Sequence, residues 1–132
     1  MNLKAYSRKF FRIKLESPLF GTISIVRIGD RRVFSNAARV RILDISPGGL
    51  RFVTSLKLPV DTSVILEAIL KLENSEYCLQ GCIVHMVGSE VNEFEYGLKF
   101  LEPDPELRET LKKIFSRISV RQDRHIIILK LN

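Results

Sequence analysis

Apolar and polar residues alternate with a period of two over most of this chain, the pattern of half-buried β-strands. Gly21-Thr22-Ile23-Ser24-Ile25-Val26-Arg27-Ile28 forms a first extended segment and stops at the turn pair Gly29-Asp30. From Ala38 to Ile45, Val40, Ile42 and Asp44 share one parity, and Arg39, Arg41 and Leu43 the other. Ser46-Pro47-Gly48-Gly49 interrupts that run and Leu50-Arg51-Phe52-Val53 resumes it at once, which predicts a hairpin. Beyond the loop Leu58-Pro59-Val60-Asp61, the segment Ser63–Leu72 places Ile65, Glu67, Ile69 and Lys71 on one parity. Tyr77–Val87 and Glu95–Leu101 bring the strands to about six, at the spacing of a small barrel or sandwich.

The period lengthens near the C-terminus. Asp104-Pro105-Glu106 supplies an N-cap, a proline suited to the first helical position and an acid at the positive dipole end. Leu107, Leu111, Ile114, Phe115 and Ile118 then recur at helical spacing, with Lys112, Lys113 and Arg117 towards the far end. The helix is expected to close one side or mouth of the barrel. Past it, Arg121-Gln122-Asp123-Arg124 is polar, and His125–Leu131 is a short β-branched run. That tail reads either as an extra strand or as an exposed segment waiting for a partner. The expected organisation is a basic arm (1–14), a barrel (15–103), a helix (104–120) and a tail (121–132).

Composition narrows the class. A chain of 132 residues, 45% hydrophobic and 27% charged, suits one globular domain able to bury its own core. No apolar run approaches the roughly 18–20 residues that span a bilayer. Met1–Arg8 is polar and leads into no signal-peptide core, so a cytoplasmic protein is expected. Cys78 and Cys82, four apart on a predicted strand, would lie about 13 Å from each other, too far for a disulfide. They read as small core residues of a reduced protein.

The net charge of +6 conceals an imbalance, because residues 1–60 hold twelve Lys/Arg against three Asp/Glu and the remainder nine against twelve. One cluster is Lys4, Arg8, Lys9, Arg12 and Lys14; the other is Arg27, Arg31, Arg32, Arg39 and Arg41. Such a region draws anions, whether phosphates, nucleic acid or acidic proteins, and equally makes a solvated face. No nucleophile stands with a plausible base and orienter, and there is no Walker loop and no metal-ligand spacing. His85 and His125 are isolated, as suits packed or surface residues. Neither a catalytic site nor a metal or cofactor is expected.

Two motifs carry the functional reading. Arg8-Lys9-Phe10-Phe11-Arg12 is an R-x-x-x-R on the arm, and Asp44-Ile45-Ser46-Pro47-Gly48-Gly49 is a D-x-S-x-x-G at the predicted hairpin. In this order, with the Tyr96-Gly97-Leu98-Lys99-Phe100 strand and the final helix, the sequence resembles the PilZ domain family over about residues 6–118. The resemblance implies a mainly β fold, a six-stranded antiparallel PilZ-type β-barrel with a C-terminal α-helix. It also implies a receptor for the second messenger cyclic di-GMP, with Arg8 and Arg12 clasping guanines and phosphates.

The residue chemistry agrees. Arginine's planar fork binds guanine O6 and N7, stacks on a base and pairs with phosphate. Asp44 can accept guanine N–H groups, and Ser46 can donate to phosphate or accept from a base. Gly48 and Gly49 clear side chains from the approach and permit positive φ. As a plain alternative, Asp44 and Ser46 merely cap a turn. Ser7, Lys9, Arg51 and Gly97 are accessory candidates: Ser7 at the family position that influences ligand number, Gly97 where backbone and ligand or another strand meet. With no appended output domain expected, the signal would pass through an effector protein, and the tail offers a route to a homo-oligomer. Two other readings stand beside this one: a PilZ-like interaction module without a ligand, and a basic RNA- or single-strand-DNA-binding barrel. The absence of tryptophan and of a row of stacking aromatics counts against the last.

Overall fold

The computed structural model describes residues 13–88, 92–119 and 127–129. Strand β1 (Ile13–Ile28) is followed by β2 (Arg31–Arg32), β3 (Ala38–Ser46), β4 (Gly49–Thr54), β5 (Val64–Leu72), β6 (Ser75–Gly88) and β7 (Phe94–Phe100). The helix α1 (Pro105–Ser119) and a short strand β8 (Ile127–Leu129) complete the order. Neighbouring strands run β1-β3-β4-β7-β6-β5, and β5 returns to β1, closing a six-stranded antiparallel barrel. Closure leaves the barrel strands with few free edges, which is how a small all-β domain satisfies its backbone. The first strand begins at Ile13, well before the Gly21 that alternation marks. Its early part carries Glu16, Ser17 and Pro18, and its register on β3 shifts between Lys14 and Leu19.

Alternation fills the interior. Ile23, Val40, Ile42, Ile45, Leu50, Phe52, Leu66, Leu70, Leu79, Ile83 and Leu98 are all buried in one cluster. Each such side chain contributes about 1.5–3 kcal/mol on leaving water. Tyr96, fully buried, donates its hydroxyl to the Leu56 carbonyl (2.8 Å) and accepts from the Leu58 amide (2.7 Å). A buried phenol is thereby satisfied both ways, and the β4–β5 loop is pinned to the core.

The helix behaves as its cap predicts. Asp104 Oδ1 accepts from the Leu107 amide at 3.0 Å, and Leu107, Leu111 and Ile114 join the barrel core. Arg117 pairs with Glu73 in the β5–β6 turn, and the Tyr77 and Thr110 hydroxyls bond at 2.6 Å, fixing α1 against that hairpin. Strand β8 runs parallel to the start of β1, with Ile13 opposite Ile127 and Leu15 opposite Leu129. Part of the tail is therefore an additional strand.

One core assignment is corrected. Cys78 is exposed, because Tyr77, Leu79, Gly81 and Ile83 take the inward parity of β6; Cys82, on the same outward parity as Cys78, is nonetheless buried. Partial burial of the Cys78 sulfur, then hydrogen bonding and charge from Glu67 and the charge of Glu76, push its thiol up to about 11. At pH 8 its thiolate fraction is about a hundredfold below that of a thiol at 9. The higher nucleophilicity of a more basic thiolate recovers about a factor of ten. Alkylation of Cys78 in a Cys82→Ala variant should therefore run about tenfold slower than in an unstructured thiol peptide, with its rate still rising at pH 10. A rate that levels off below pH 9 would contradict this environment.

Candidate functional site

The D-x-S-x-x-G segment forms a two-residue connection between β3 and β4, with Ser46 registered opposite Gly49. Ser46 Oγ accepts from the Gly48 amide (3.3 Å) and donates to the Gly49 carbonyl (3.2 Å), so the hydroxyl braces the turn. The Phe100 amide donates to the Gly48 carbonyl at 3.0 Å, tying the tip to β7. The expectation of positive φ here is corrected: Gly29, not the Gly48–Gly49 pair, is the glycine held there among the described residues, at 62°. Pro47 fixes a negative φ at the first turn position instead. Gly49 is glycine for another reason, since a Cβ there would lie 2.2 Å from the Leu98 carbonyl oxygen of β7.

Asp44 does not lie on the Val40–Ile42 face. The register shifts between Ile42 and Asp44, making Leu43 an extra residue that turns Asp44 to the outer side, opposite Arg51. A second shift, between Ile83 and His85 in β6, does the same for His85. Cross-strand partners share a face, so one outer row runs Asp44, Arg51, Gly97, His85 across β3, β4, β7 and β6. Lys14 of β1 occupies the register position beside Asp44. The next outer row is Ser46, Gly49, Lys99, Cys82. Gly97 thus interrupts a surface otherwise bordered by charge, leaving backbone bare beside Arg51, whereas Gly49 is buried against β7.

Arg51 organises the row. Its Nε donates to Asp44 Oδ2 and its Nη1 to Glu95 Oε2, each at 2.6 Å. Burial by itself would lower the guanidinium's pKa, but hydrogen bonding and charge from Asp44, and then from Glu95, hold it above its ordinary value. Asp44 is fully buried and Arg51 about two-thirds buried, so this is a semi-buried pair. Removing one partner from a buried pair leaves a charge in low dielectric. Arg51→Ala is expected to cost about 2–3 kcal/mol in urea unfolding, below the range for a fully buried pair because Arg51 is partly solvated. Arg51→Ala/Asp44→Asn should recover part of that loss, whereas strict additivity would show that the two do not interact.

The structure brings together Asp44, Ser46, Gly48, Gly49, Arg51 and Gly97 from the sequence-predicted set. Arg8, Arg12, Ser7 and Lys9 lie outside the described residues, as does His125. Strand β1 begins at Ile13, which pairs with Ile45 next to the hairpin. Glu95 was not singled out by the sequence; its position two residues before Gly97 on the same parity is the signal that could have found it. Gly97 has space, since a Cβ there would meet only the His85 side chain, its nearest atom Cβ at 3.4 Å. No close strand demands this glycine. Among the described residues no group of three or more His, Cys, Asp or Glu could hold a metal, and no helix is long and apolar enough to cross a membrane.

Comparison with known proteins places this geometry. The family model described as PilZ domain matches residues 6–117. The inhibitor of motility MotI/DgrA of Bacillus subtilis is 16% identical, with a TM-score of 0.65 over 89% of this chain and 53% of its own. The PilZ domain of YcgR from Escherichia coli, solved with c-di-GMP, is 16% identical, with a TM-score of 0.58 over 86% of this chain and 92% of that domain. The MrkH–c-di-GMP complex of K. pneumonia is 16% identical, with a TM-score of 0.58 over 89% of this chain and 53% of that one. The chain thus spans about half the length of MotI/DgrA and of MrkH. No curated protein matches it by sequence. At these identities the structural likeness is one of fold.

Proposed function

The chain belongs to the PilZ domain family, and from that membership we propose that it is a receptor for cyclic di-GMP. The observation that carries the reading is that both motifs, Arg8–Arg12 and Asp44–Gly49, fall in order within the matched residues 6–117. The proposed contacts are Arg8, Arg12, Asp44, Ser46, Gly48 and Gly49, with Ser7, Lys9, Arg51 and Gly97 accessory.

The roles follow from chemistry. Arg8 and Arg12 supply forks for guanine and charge for the two phosphates. An ionised Asp44 is the acceptor proposed for guanine N–H, and its bond from Arg51 sets the guanidinium beside it. The bare backbone at Gly97 lets a flat base approach the strand beside Arg51, whose orientation Asp44 and Glu95 fix. Ser46 is spent on the turn, so its contribution is to hold the hairpin as well as to offer an acceptor. A change of conformation on binding would alter the exposed surface, and a protein effector would read that change. The fold class and this binding role are those of a receptor rather than an enzyme.

Titration calorimetry with cyclic di-GMP tests the proposal. Micromolar or tighter binding is expected, and it reports the stoichiometry directly. No heat at millimolar ligand from a folded protein would reject the receptor reading in favour of a ligand-free interaction module.

A further inference from the structure

The second basic cluster plays no part in the proposed nucleotide site, and the fold turns Arg27, Arg32, Arg39 and Arg41 to its outer side. On β1 and β3, Phe20 is opposite Arg41 and Thr22 opposite Arg39, on the parity facing away from the buried Gly21, Ile23 and Val40. A register shift between Ile25 and Arg27 follows, and Arg27 then pairs with Ile65 of β5, whose inward neighbours are Val64 and Leu66. Arg27 is therefore also on the outer side, and its other partner across the hairpin is Arg32. Arg31, opposite Ile28, takes the other face of that hairpin.

Two arginines directly opposite each other on a sheet repel. Among the described residues none of Arg27, Arg31, Arg32, Arg39 and Arg41 is in an ion pair, while Arg51 and Arg117 are. The one carboxylate within residues 27–41 is Asp30 in the turn. Glu67, opposite Ser24, is engaged by Gln80 at 3.4 Å. The surface thus holds an uncompensated positive charge that the fold could have relieved with a single acid.

An apolar element stands within it. Phe34 is 93% exposed. The exposure of Phe34 is held rather than incidental, because both its neighbours are tied to β1. The Val33 amide donates to the Val26 carbonyl (3.1 Å), the Ser35 amide to the Ile25 carbonyl (3.3 Å), and Ser35 Oγ accepts from the Ile25 amide (2.7 Å). Phe20, by contrast, has its ring face covered by the Arg39 guanidinium, 3.9 Å from the centroid.

We propose that this surface docks on an anionic phospholipid bilayer, with Arg27, Arg32, Arg39 and Arg41 meeting headgroup phosphates and Phe34 entering the interface between headgroup and acyl chain. Charge complementarity selects an anionic partner. A lone protruding aromatic among arginines suits an interface that accepts an apolar wedge without a shaped pocket. A single strand of nucleic acid would need successive stacking faces, and Phe20's is already taken. The docking is reversible, since one apolar side chain and a basic patch lie far below what stable anchoring takes.

The protein has no tryptophan, so Phe34→Trp installs a single tryptophan, excited selectively over the tyrosines, at the wedge. Its emission should shift to the blue, and the protein should co-sediment, with vesicles of an equimolar phosphatidylcholine–phosphatidylglycerol mixture, but not with phosphatidylcholine alone. Arg27→Ala/Arg32→Ala should weaken partitioning more than tenfold, at about fivefold per arginine. Because it removes a repulsion, that variant should melt no lower than the wild type, and Phe34→Ala, starting from an exposed side chain, should melt with it. Phe34→Ala should weaken partitioning about fivefold. Lys112→Ala/Lys113→Ala, an equal loss of charge on α1, should change it little.

No sedimentation with anionic vesicles would overturn the proposal, as would binding lost equally with the α1 variant. Sedimentation without a spectral shift would overturn the wedge. Tight binding of a single-stranded oligonucleotide by a protein that ignores the vesicles would assign the surface to nucleic acid instead.

Discussion

An Arg8→Ala/Arg12→Ala variant is expected to bind cyclic di-GMP at least about a hundredfold more weakly than the wild type. Each arginine fork on a guanine edge or phosphate is worth about 1–3 kcal/mol, and tenfold in affinity is about 1.4 kcal/mol. The contacts engage one compact ligand, so the two losses need not add, and the single variants are expected to lose about tenfold or more each. Arg8→Lys/Arg12→Lys separates the contributions. A lysine keeps a positive charge for phosphate but offers neither the fork nor a stacking plane. Intermediate affinity with a steeper dependence on salt is expected. Calorimetry of all four proteins, with circular dichroism to show that each is folded, measures this. Wild-type affinity in the alanine variant would reject the arm as part of the site.

The second large effect concerns stability. Gly49→Ala is expected to lower it by about 3 kcal/mol or more, a fall of about 10 °C or more in melting temperature. The added Cβ meets the Leu98 carbonyl oxygen at 2.2 Å, and both groups are backbone. No rotamer change relieves that contact. Either β4 or β7 must shift, and with it the pairing of Gly49 with Lys99 and of Leu50 with Leu98. Leu50 and Leu98 are both buried in the core, so the strain reaches the interior.

Gly97→Ala provides the contrast. Its Cβ would meet His85 Cβ at an ordinary 3.4 Å. Alanine also costs less chain entropy than glycine, so the variant should melt at or slightly above the wild type. The methyl group would stand on the outer row beside Arg51, and cyclic di-GMP should bind more weakly. Thermal melts and calorimetry on the two variants therefore separate a glycine required by packing from one required by the proposed site. Equal destabilisation by both would contradict the geometry described for β7.

Arg51 illustrates how a motif and its surroundings divide the work. Two residues beyond the D-x-S-x-x-G segment, it stands in the sequence as an accessory candidate for the site. The fold makes it the link between Asp44 and Glu95, which are far apart in sequence. The plain alternative for Ser46, that it caps the turn, describes its hydrogen bonds. A residue that builds the hairpin also positions whatever the hairpin presents, so the two roles are not exclusive.

From the order of its residues alone this chain announces a mainly β barrel, a hairpin at Ser46–Gly49, a helix capped by Asp104, two motifs of one family and a basic N-terminal half. All of these are local: strand parity, turn chemistry and capping act over a few residues, and a motif is a spacing. The face that Asp44 occupies was not legible, because the extra residue at Leu43 exists only in the pairing of β3 with β4. Cys78 and Cys82 have the same parity and different exposures, which no alternation pattern can encode. Gly49 was read as room for a ligand, whereas its close neighbour is a carbonyl of β7, about fifty residues on. Barrel closure likewise joins β1 to β5 across a long stretch of chain. Tertiary structure decided these matters because register and close approach are set jointly by partners distant in sequence, and a single strand carries only its own half of each contact.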